Sequence, residues 1–504
     1  MRRRYKALLA WLGLAPAIWA GNNLALTTGT YLGGAGADSG RAVDIAPDGS
    51  IFYGGSLPGE NLGTVPVEIL GGGAGALIHL DPDGRRVLGL IRLPSPIEDM
   101  EINQANGKIA LCGAFGVAYL DASGKTLIWS DPIGPGGGAH VGPGRRVSVG
   151  VDGTVAALFN KQVSVFDESG HPQGHFAVAG TYVNDIAVSG AGKKIIVAGF
   201  TQKDGGGCSQ LQVPWMRAYD AAGTLVWKDY DWTHAEAFGK ESSCADSRGY
   251  LVTLGRDGKL YYAGESAGGN TVYRYGPQNL AEAGNLIGYD AYTQAYNTSS
   301  NHITFFGRFD PASGKIAAGQ LILPRLPDGK GNTIRARGLA ADGQGNVYVT
   351  GKTACCIENR AKLTIDGVPA GPGDAYVFAC NADFKGRSAW TTLAGGDSTE
   401  KNNRYEIGAI AAGAGKVALA GTAIGTMMTK NALQPAVRAG LGADAPDGYL
   451  ALWPTSGASA GIRRLPDRRE PMSVWGFRRN GRWSLLGRRL FPSEDGAETA
   501  RSFP

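Results

Sequence analysis

The sequence predicts an all-β protein: a seven-bladed β-propeller of four-stranded antiparallel blades. Three observations lead there. The chain has 504 residues, with 79 Gly and only 18% charged residues, a composition suited to many short strands joined by tight turns. One hairpin outline recurs along the chain. A second kind of hairpin follows each copy of the first, so the repeating unit is two hairpins.

The pattern is plainest at Arg337–Lys352, RGLAADGQGNVYVTGK. A short apolar run (Leu339, Ala340, Ala341) leads into a turn at Asp342–Asn346. A strand of period two then closes on Gly351. Six further copies fall at Gly40–Ser56, Asp99–Gly113, Arg145–Phe159, Asn184–Gly199, Tyr250–Gly264 and Glu406–Gly421. The second kind falls at Ala76–Leu93, Val117–Ser130, Val163–Val178, Met216–Tyr230, Phe305–Leu323, Ala375–Leu393 and Tyr449–Leu465. Five of these open their turn with Asp: Asp81, Asp121, Asp167, Asp220 and Asp310. That carboxylate can accept from the turn backbone, and the Gly after it supplies a positive φ. A string of β-sandwiches would not repeat a two-hairpin unit with one turn signature.

Three stretches also resemble a known family. Thr30–Ser56 (TYLGGAGADSGRAVDIAPDGSIFYGGS), Asp374–Ser398 (DAYVFACNADFKGRSAWTTLAGGDS) and Asn431–Trp453 (NALQPAVRAGLGADAPDGYLALW) are similar to the bacterial β-propeller repeat known as SBBP. The resemblance implies the propeller fold and no particular reaction. Thr27–Gly34 resembles Thr391–Gly396, the last strand of the sixth unit with its exit. A strand there is expected beside the last blade, locking the ring and removing a free sheet edge.

Three segments are expected: an export signal at 1–20, the propeller at 21–465 and a basic extension at 466–504. The first combines Arg2, Arg3, Arg4 and Lys6 with an apolar run ending on Ala20, too short to span a bilayer comfortably. No later segment is apolar enough to cross one. The expected location is therefore secreted, periplasmic or cell-surface, in a bacterium. The net charge of +5 comes from the two ends, leaving residues 21–460 near −4. This argues against nucleic acid as a partner. Of six Cys, Cys112 and Cys380 lie in apolar runs and read as buried thiols. Cys208 and Cys244 lie in polar stretches and form the best candidate disulfide. Cys355 and Cys356 are adjacent and open to either a vicinal ring or other pairings. No CxxC is present, so no structural zinc site is expected.

In a four-stranded blade the turns within hairpins share one face, and the connections between hairpins and between blades share the other. Here the second set is long: Ser56–Gly75, Phe200–Val213, Glu265–Asn301, Lys352–Gly373 and Thr422–Asp447. Long loops on a rigid scaffold favour that face for binding. The richest, Glu265–Asn301, carries Tyr273, Tyr275, Tyr289, Tyr292 and Tyr296, whose flat rings and polar tips suit carbohydrate or protein. The segment Asp229–Glu241 offers Asp229, Asp231, His234 and Glu236 for acid–base work and Trp232 for stacking on a sugar; solvated loop acids are the plainer reading. Glu98, Asp99 and Glu101 stand where the second unit begins and face either ion-pair partners or a cation near the central channel. His171 and His175 stand as H-x-x-x-H, but Pro172 and Gly174 exclude the helix on which such a pair binds metal.

In the extension, Asn480–Gly481 signals a hairpin between Phe477 and Trp483. Arg478, Arg479, Arg482, Arg488 and Arg489 lie among aromatics and suit an anionic surface or a contact with the propeller. No P-loop, zinc-protease helix or G-x-S-x-G elbow occurs. The leading function is non-enzymatic binding or scaffolding on the long-loop face, with no cofactor or metal and with an extracellular glycan or protein as partner. A hydrolase or lyase of extracellular polysaccharide is the alternative. A quinone-dependent redox propeller is less favoured; it rests on Trp129, Trp227, Trp390 and the Cys355–Cys356 pair. Ligand identity and oligomeric state are not read from the sequence.

Overall fold

The computed structural model describes residues 25–132, 145–190, 194–205, 208–241, 245–287, 302–324, 331–353, 364–365, 368–369, 375–393, 404–438 and 445–455, and short strands between 478 and 499. The chain divides into two units, Met1–Ala458 and Ser459–Pro504. The first is a seven-bladed β-propeller of almost entirely antiparallel strands.

Each of the seven sheets begins with an inner strand: Ser39–Ile45, Ile97–Ile102, Arg145–Val149, Tyr182–Ser189, Ser247–Leu254, Ile334–Ala341 and Arg404–Gly413. Each inner strand packs on the next, and the last packs back on the first. The blades are numbered 1 to 7 in that order. The apolar alternation of the strands buries both faces of each sheet, because each has a neighbour on either side. The core is therefore seven separate clusters, one per junction. Phe52 and Leu77 of blade 1 meet Leu111 of blade 2, for example, and Tyr348 and Val377 of blade 6 meet Val417 and Leu419 of blade 7. Val43 and Ile51 meet Leu450 and Leu452, which closes blade 7 onto blade 1.

The expected turn chemistry is present. Asp81 Oδ1 accepts from Arg85 N at 2.7 Å, Asp121 Oδ1 from Lys125 N at 3.1 Å, Asp167 Oδ1 from His171 N at 3.0 Å, Asp220 Oδ1 from Thr224 N at 2.8 Å and Asp310 Oδ1 from Ala312 N at 3.3 Å. Gly84 takes φ 67° in the first of these turns, where a side chain would be strained.

The N-terminal strand Thr28–Leu32 pairs antiparallel with Asp447–Pro454 and is the outermost strand of blade 7. Blade 7 thus takes its fourth strand from the start of the chain, where the sequence suggested the second half of Tyr449–Leu465. On its far side Thr28–Leu32 meets the preceding loop: Gly29 N donates to Lys430 O at 2.9 Å and Tyr31 N to Gln434 O at 3.0 Å. The expected loop Phe200–Val213 is instead mostly strand. Lys194–Gly205 pairs with Cys208–Tyr219, and alternation continues because Leu211 and Val213 are buried against Ala237 of the helix His234–Glu241. Blade 1 gains a fifth strand, Val67–Glu68, parallel to Ile91–Arg92.

In the second unit Arg478–Arg479 pairs with Arg482–Trp483, and Phe491–Pro492 pairs with Glu498–Thr499. Asn480 and Gly481 lie outside the described residues.

Candidate functional site

The seven inner strands surround a central channel enclosing about 160 Å³. An inner strand is a sheet edge, so alternate N–H groups point off the sheet and need acceptors. In blades 2 to 5 the preceding blade supplies them from its side chains. Asp44 Oδ2 accepts from Ile102 N at 2.8 Å, Asp99 Oδ2 from Val147 N at 3.0 Å and Glu101 Oε2 from Val149 N at 3.0 Å. Ser148 Oγ accepts from Val188 N at 2.9 Å, and Asp185 Oδ2 from Val252 N at 2.9 Å. Asp44 and Asp185 each span two strands, because their Oδ1 atoms accept from Ile45 N (2.8 Å) and Ile186 N (3.0 Å) of their own strands.

These acids line the channel, Asp44 buried and Asp99, Glu101 and Asp185 half-buried in its wall. Burial raises Asp185 to about 7 against the pull of Arg146, whose Nε stands 3.6 Å away. Burial likewise raises Glu101 to about 7, opposed by the Ser148 hydroxyl and helped by the charge of Asp44. Asp99 is raised for the same reason, with Arg146 opposing. Of the acids expected where blade 2 begins, Glu98 pairs with Arg41 at 2.7 Å, while Asp99 and Glu101 serve backbone donors.

At the face of the hairpin turns, Arg256 crosses the channel floor. It leaves the blade 5 turn and bonds Asp44 Oδ1 of blade 1 and, at 3.2 Å, Ala412 O of blade 7. The opposite end, where inner strands begin, opens among the long connections. Six of the seven inner strands carry a one-residue bulge there, at Arg41, Glu98, Asn184, Tyr250, Arg337 and Gly408. A bulge bends the strand and re-aims its side chain. Tyr182 begins the blade 4 inner strand at this rim, 48% exposed, with its ring stacked on Phe200 at 4.7 Å. Tyr250 meets Phe200 edge-on at 6.2 Å and donates to Glu265 Oε1 at 3.0 Å. Glu265 is 1% exposed and also pairs with Arg248; His302 Nδ1 stands 3.1 Å away and Arg335 Nε 3.3 Å. Burial alone would raise this carboxyl, but His302 and Arg248 outweigh it and hold it at about 2.

The residues favoured from sequence do not converge. Tyr273 is wholly buried in a turn of 3-10 helix, stacked on Phe305 at 4.3 Å, and its hydroxyl donates to Arg248 O. It is a core residue, closed to a ligand. Tyr275 is half-buried under Lys240, whose Nζ lies 4.5 Å from the ring. Tyr289, Tyr292 and Tyr296 lie outside the described residues. Asp231 is committed to Arg217 through two 2.8 Å bonds. Glu236 and Thr233 form a capping box for His234–Glu241: Glu236 Oε2 accepts from Thr233 N at 2.8 Å and Thr233 Oγ1 from Glu236 N at 3.2 Å. His234 is buried and stacked on Phe238, and Trp232 packs against the blade 4–5 core. Asp229 is fully buried, bonded by Gln278 Nε2 at 2.9 Å, and burial pushes it up to about 8. Its buried surroundings exclude the solvated-loop reading.

His175 Nδ1 bonds Ser164 Oγ at 3.0 Å and His171 stands by Asp167, so the two histidines go separate ways. No group of three or more His, Cys, Asp or Glu among the described residues is placed to hold a metal. Trp129 and Trp227 pack at blade edges, their Nε1 donating to Glu168 O and Pro311 O. Cys112 and Cys380 are both wholly buried, as expected. Cys244, Cys355, Cys356, Arg488 and Arg489 lie outside the described residues, as do the side chains of Cys208, Trp390, Arg478, Arg479 and Arg482.

Sequence reasoning passed over Asp44, Tyr182, Asp185, Arg256 and Arg337. A signal existed. Aligned on their turns, the first hairpins place Asp44, Glu101 and Ser148 in one column two residues before the turn, where later blades carry Thr253, Ala340 and Ala411.

Residues 320–354 match the SBBP family, described as a beta-propeller repeat. The match covers the end of blade 5 and the first hairpin of blade 6. The family is the one whose resemblance was noted from sequence at three other stretches, of which Asp374–Ser398 supplies the second hairpin of the same blade 6. No curated protein matches the chain.

Proposed function

We propose that this seven-bladed propeller with its SBBP repeat is an exported binding or scaffold protein. It acts without catalysis, through the long-loop face, at or outside the bacterial envelope. The observation that carries the reading is the polarity of the channel. Arg256 crosses its floor on the turn face, and its mouth opens among the long connections, lined by the bulged side chains of Arg41, Glu98 and Arg337, with Tyr182 half-exposed where the blade 4 inner strand begins. A half-exposed aromatic on the same face as the mouth's arginines suits an extracellular glycan. The test is a binding screen of envelope glycans on the full wild-type chain and its Tyr182→Ala variant at matched concentration. Binding by wild type that weakens in the variant supports the reading. Binding unchanged by the substitution would move recognition off this rim.

A second reading, a polysaccharide hydrolase or lyase, draws on one observation: Glu101 and Asp185 titrate near neutrality, as a general acid or base requires. Against it, both spend oxygens on the N–H groups of Val149 and Val252. Glycan turnover by wild type, abolished in Glu101→Gln, would favour it. A quinone-dependent redox propeller draws nothing further from Trp129 and Trp227, which serve packing.

A further inference from the structure

Building on the long-loop-face reading, we infer that the channel wall between blades 6 and 7 is a carboxylate-binding site for the end group of an acidic sugar. The argument starts from a difference between two halves of one ring. On the blade 1–4 side, carboxylates of Asp44, Asp99, Glu101 and Asp185 cap edge N–H groups of the following blade. The positions equivalent to Asp44 and Asp185 in blade 6 are Ala340 and Gly338, which carry no acceptor.

The donors are nevertheless in place. Asp342 N bonds Asn346 O at the blade 6 turn, so the pair Ala341–Val347 beside it is a non-bonded one, and Leu339–Val349 is the next. The N–H groups of Leu339 and Ala341 therefore face off the sheet. The same alternation in blade 7 turns Ile410 and Ala412 N–H the same way. All four residues line the channel and are at most 8% exposed. Among the described residues no acceptor is placed on these four N–H groups. Buried backbone donors of this kind require a partner.

The rest of the ring shows which partner fits. Asp44 bridges Ile45 N and Ile102 N with its two oxygens, one strand to each. A ligand carboxylate over the Ala340 methyl would bridge Ala341 N and Ala412 N in the same manner. Arg337 stands above, exposed on its bulge and lining the mouth, with no carboxylate of the described residues paired to it. The channel, about 160 Å³ and open at this mouth, has room for an end group to enter. Tyr182, half-exposed where the blade 4 inner strand begins on the same face, offers an aromatic ring to the rest of the sugar. This favours an acidic glycan over an acidic peptide.

The test is calorimetric titration of the full chain with trigalacturonate, its methyl ester and triglutamate. Trigalacturonate is expected to bind at least about tenfold more tightly than the ester, the worth of a charge-assisted hydrogen bond. Ala340→Asp installs the carboxylate that blades 1 and 2 already carry, so it should abolish binding while keeping the circular dichroism of the fold. Ala340→Ser, which copies Ser148 of blade 3, should weaken it if the Asp variant fails to fold. Arg337→Ala should weaken it about tenfold. Equal binding of acid and ester, or full binding by both Ala340 variants, overturns the inference. Triglutamate binding in place of trigalacturonate overturns its sugar half. Neutral glycan binding that is lost in Tyr182→Ala would overturn the carboxylate site and leave the long-loop-face reading standing.

Discussion

At the scale of single residues, Asp44 shows how one side chain holds three blades. Its carboxylate caps Ile102 N of blade 2 and meets Arg256 of blade 5, from within blade 1. Both side chains are largely buried, at 7% and 20% exposure. Removing the acid leaves Ile102 N without its acceptor and the largely buried Arg256 without its counter-charge, which costs far more than the net worth of the pair. Asp44→Ala should therefore lower unfolding free energy by about 3 kcal/mol in urea titration. A change within about 0.5 kcal/mol, as for a surface residue, would refute the clamp. Such residues were only partly legible in the sequence. Turn aspartates were, because their acceptors lie a few residues away. Asp44 and Asp185 were not, because their partners lie 58 and 67 residues on. Tyr273 misled for a related reason: a tyrosine in a loop looks the same whether its ring covers the blade or faces a ligand.

At the scale of elements, the Thr28–Leu32 strand is the closure of the ring. Its sequence likeness to the sixth unit was enough to place it, since every outer strand meets the same kind of neighbour. Its partner in the chain was less legible, because Tyr449–Leu465 has a hairpin pattern of its own and competes for the same edge. The strand is held from both sides: Tyr31 N bonds Gln434 O, and Thr30 pairs with Leu450. Thr30→Pro removes a donor from the ladder and should cost about 3 kcal/mol. It also frees the edge of Asp447–Pro454, so the variant should associate with rising concentration in light scattering. A monomeric variant of unchanged melting temperature would mean that the ring closes without this strand. The extended hairpin of blade 4 escaped the sequence reading because Thr201, Gln202 and Lys203 resemble loop residues; it is Leu211 and Val213 opposite them that continue the alternation.

At the scale of the whole molecule, the channel couples stability and binding to pH. Burial raises Asp185 and Glu101 to about 7, while the unfolded chain holds such groups near the ordinary value of about 4. Between those values the folded state binds more protons than the unfolded one, so unfolding free energy falls as pH rises. The contribution is fully present below the unfolded value and lost through the folded one. Glu265, held at about 2, acts in the opposite sense: its contribution is present above the ordinary glutamate value and is lost as pH falls from there through about 2. The melting temperature should accordingly be higher at pH 5 than at pH 8, and Asp185→Asn should shrink the difference. The same protons set the charge that an entering anion meets. Asp99, Glu101 and Asp185 face Arg146 and, through Asp44, Arg256 across the channel. As pH falls from 8 to 6, Glu101 and Asp185 lose charge while the arginines keep theirs, so the channel becomes more positive. Trigalacturonate, still ionised at both values, should bind several-fold more tightly at pH 6. In a Glu101→Gln, Asp185→Asn double variant that dependence should vanish. Persistence of the full pH dependence in the double variant would place the titrating group elsewhere, and tighter binding at pH 8 would contradict an anion in this channel.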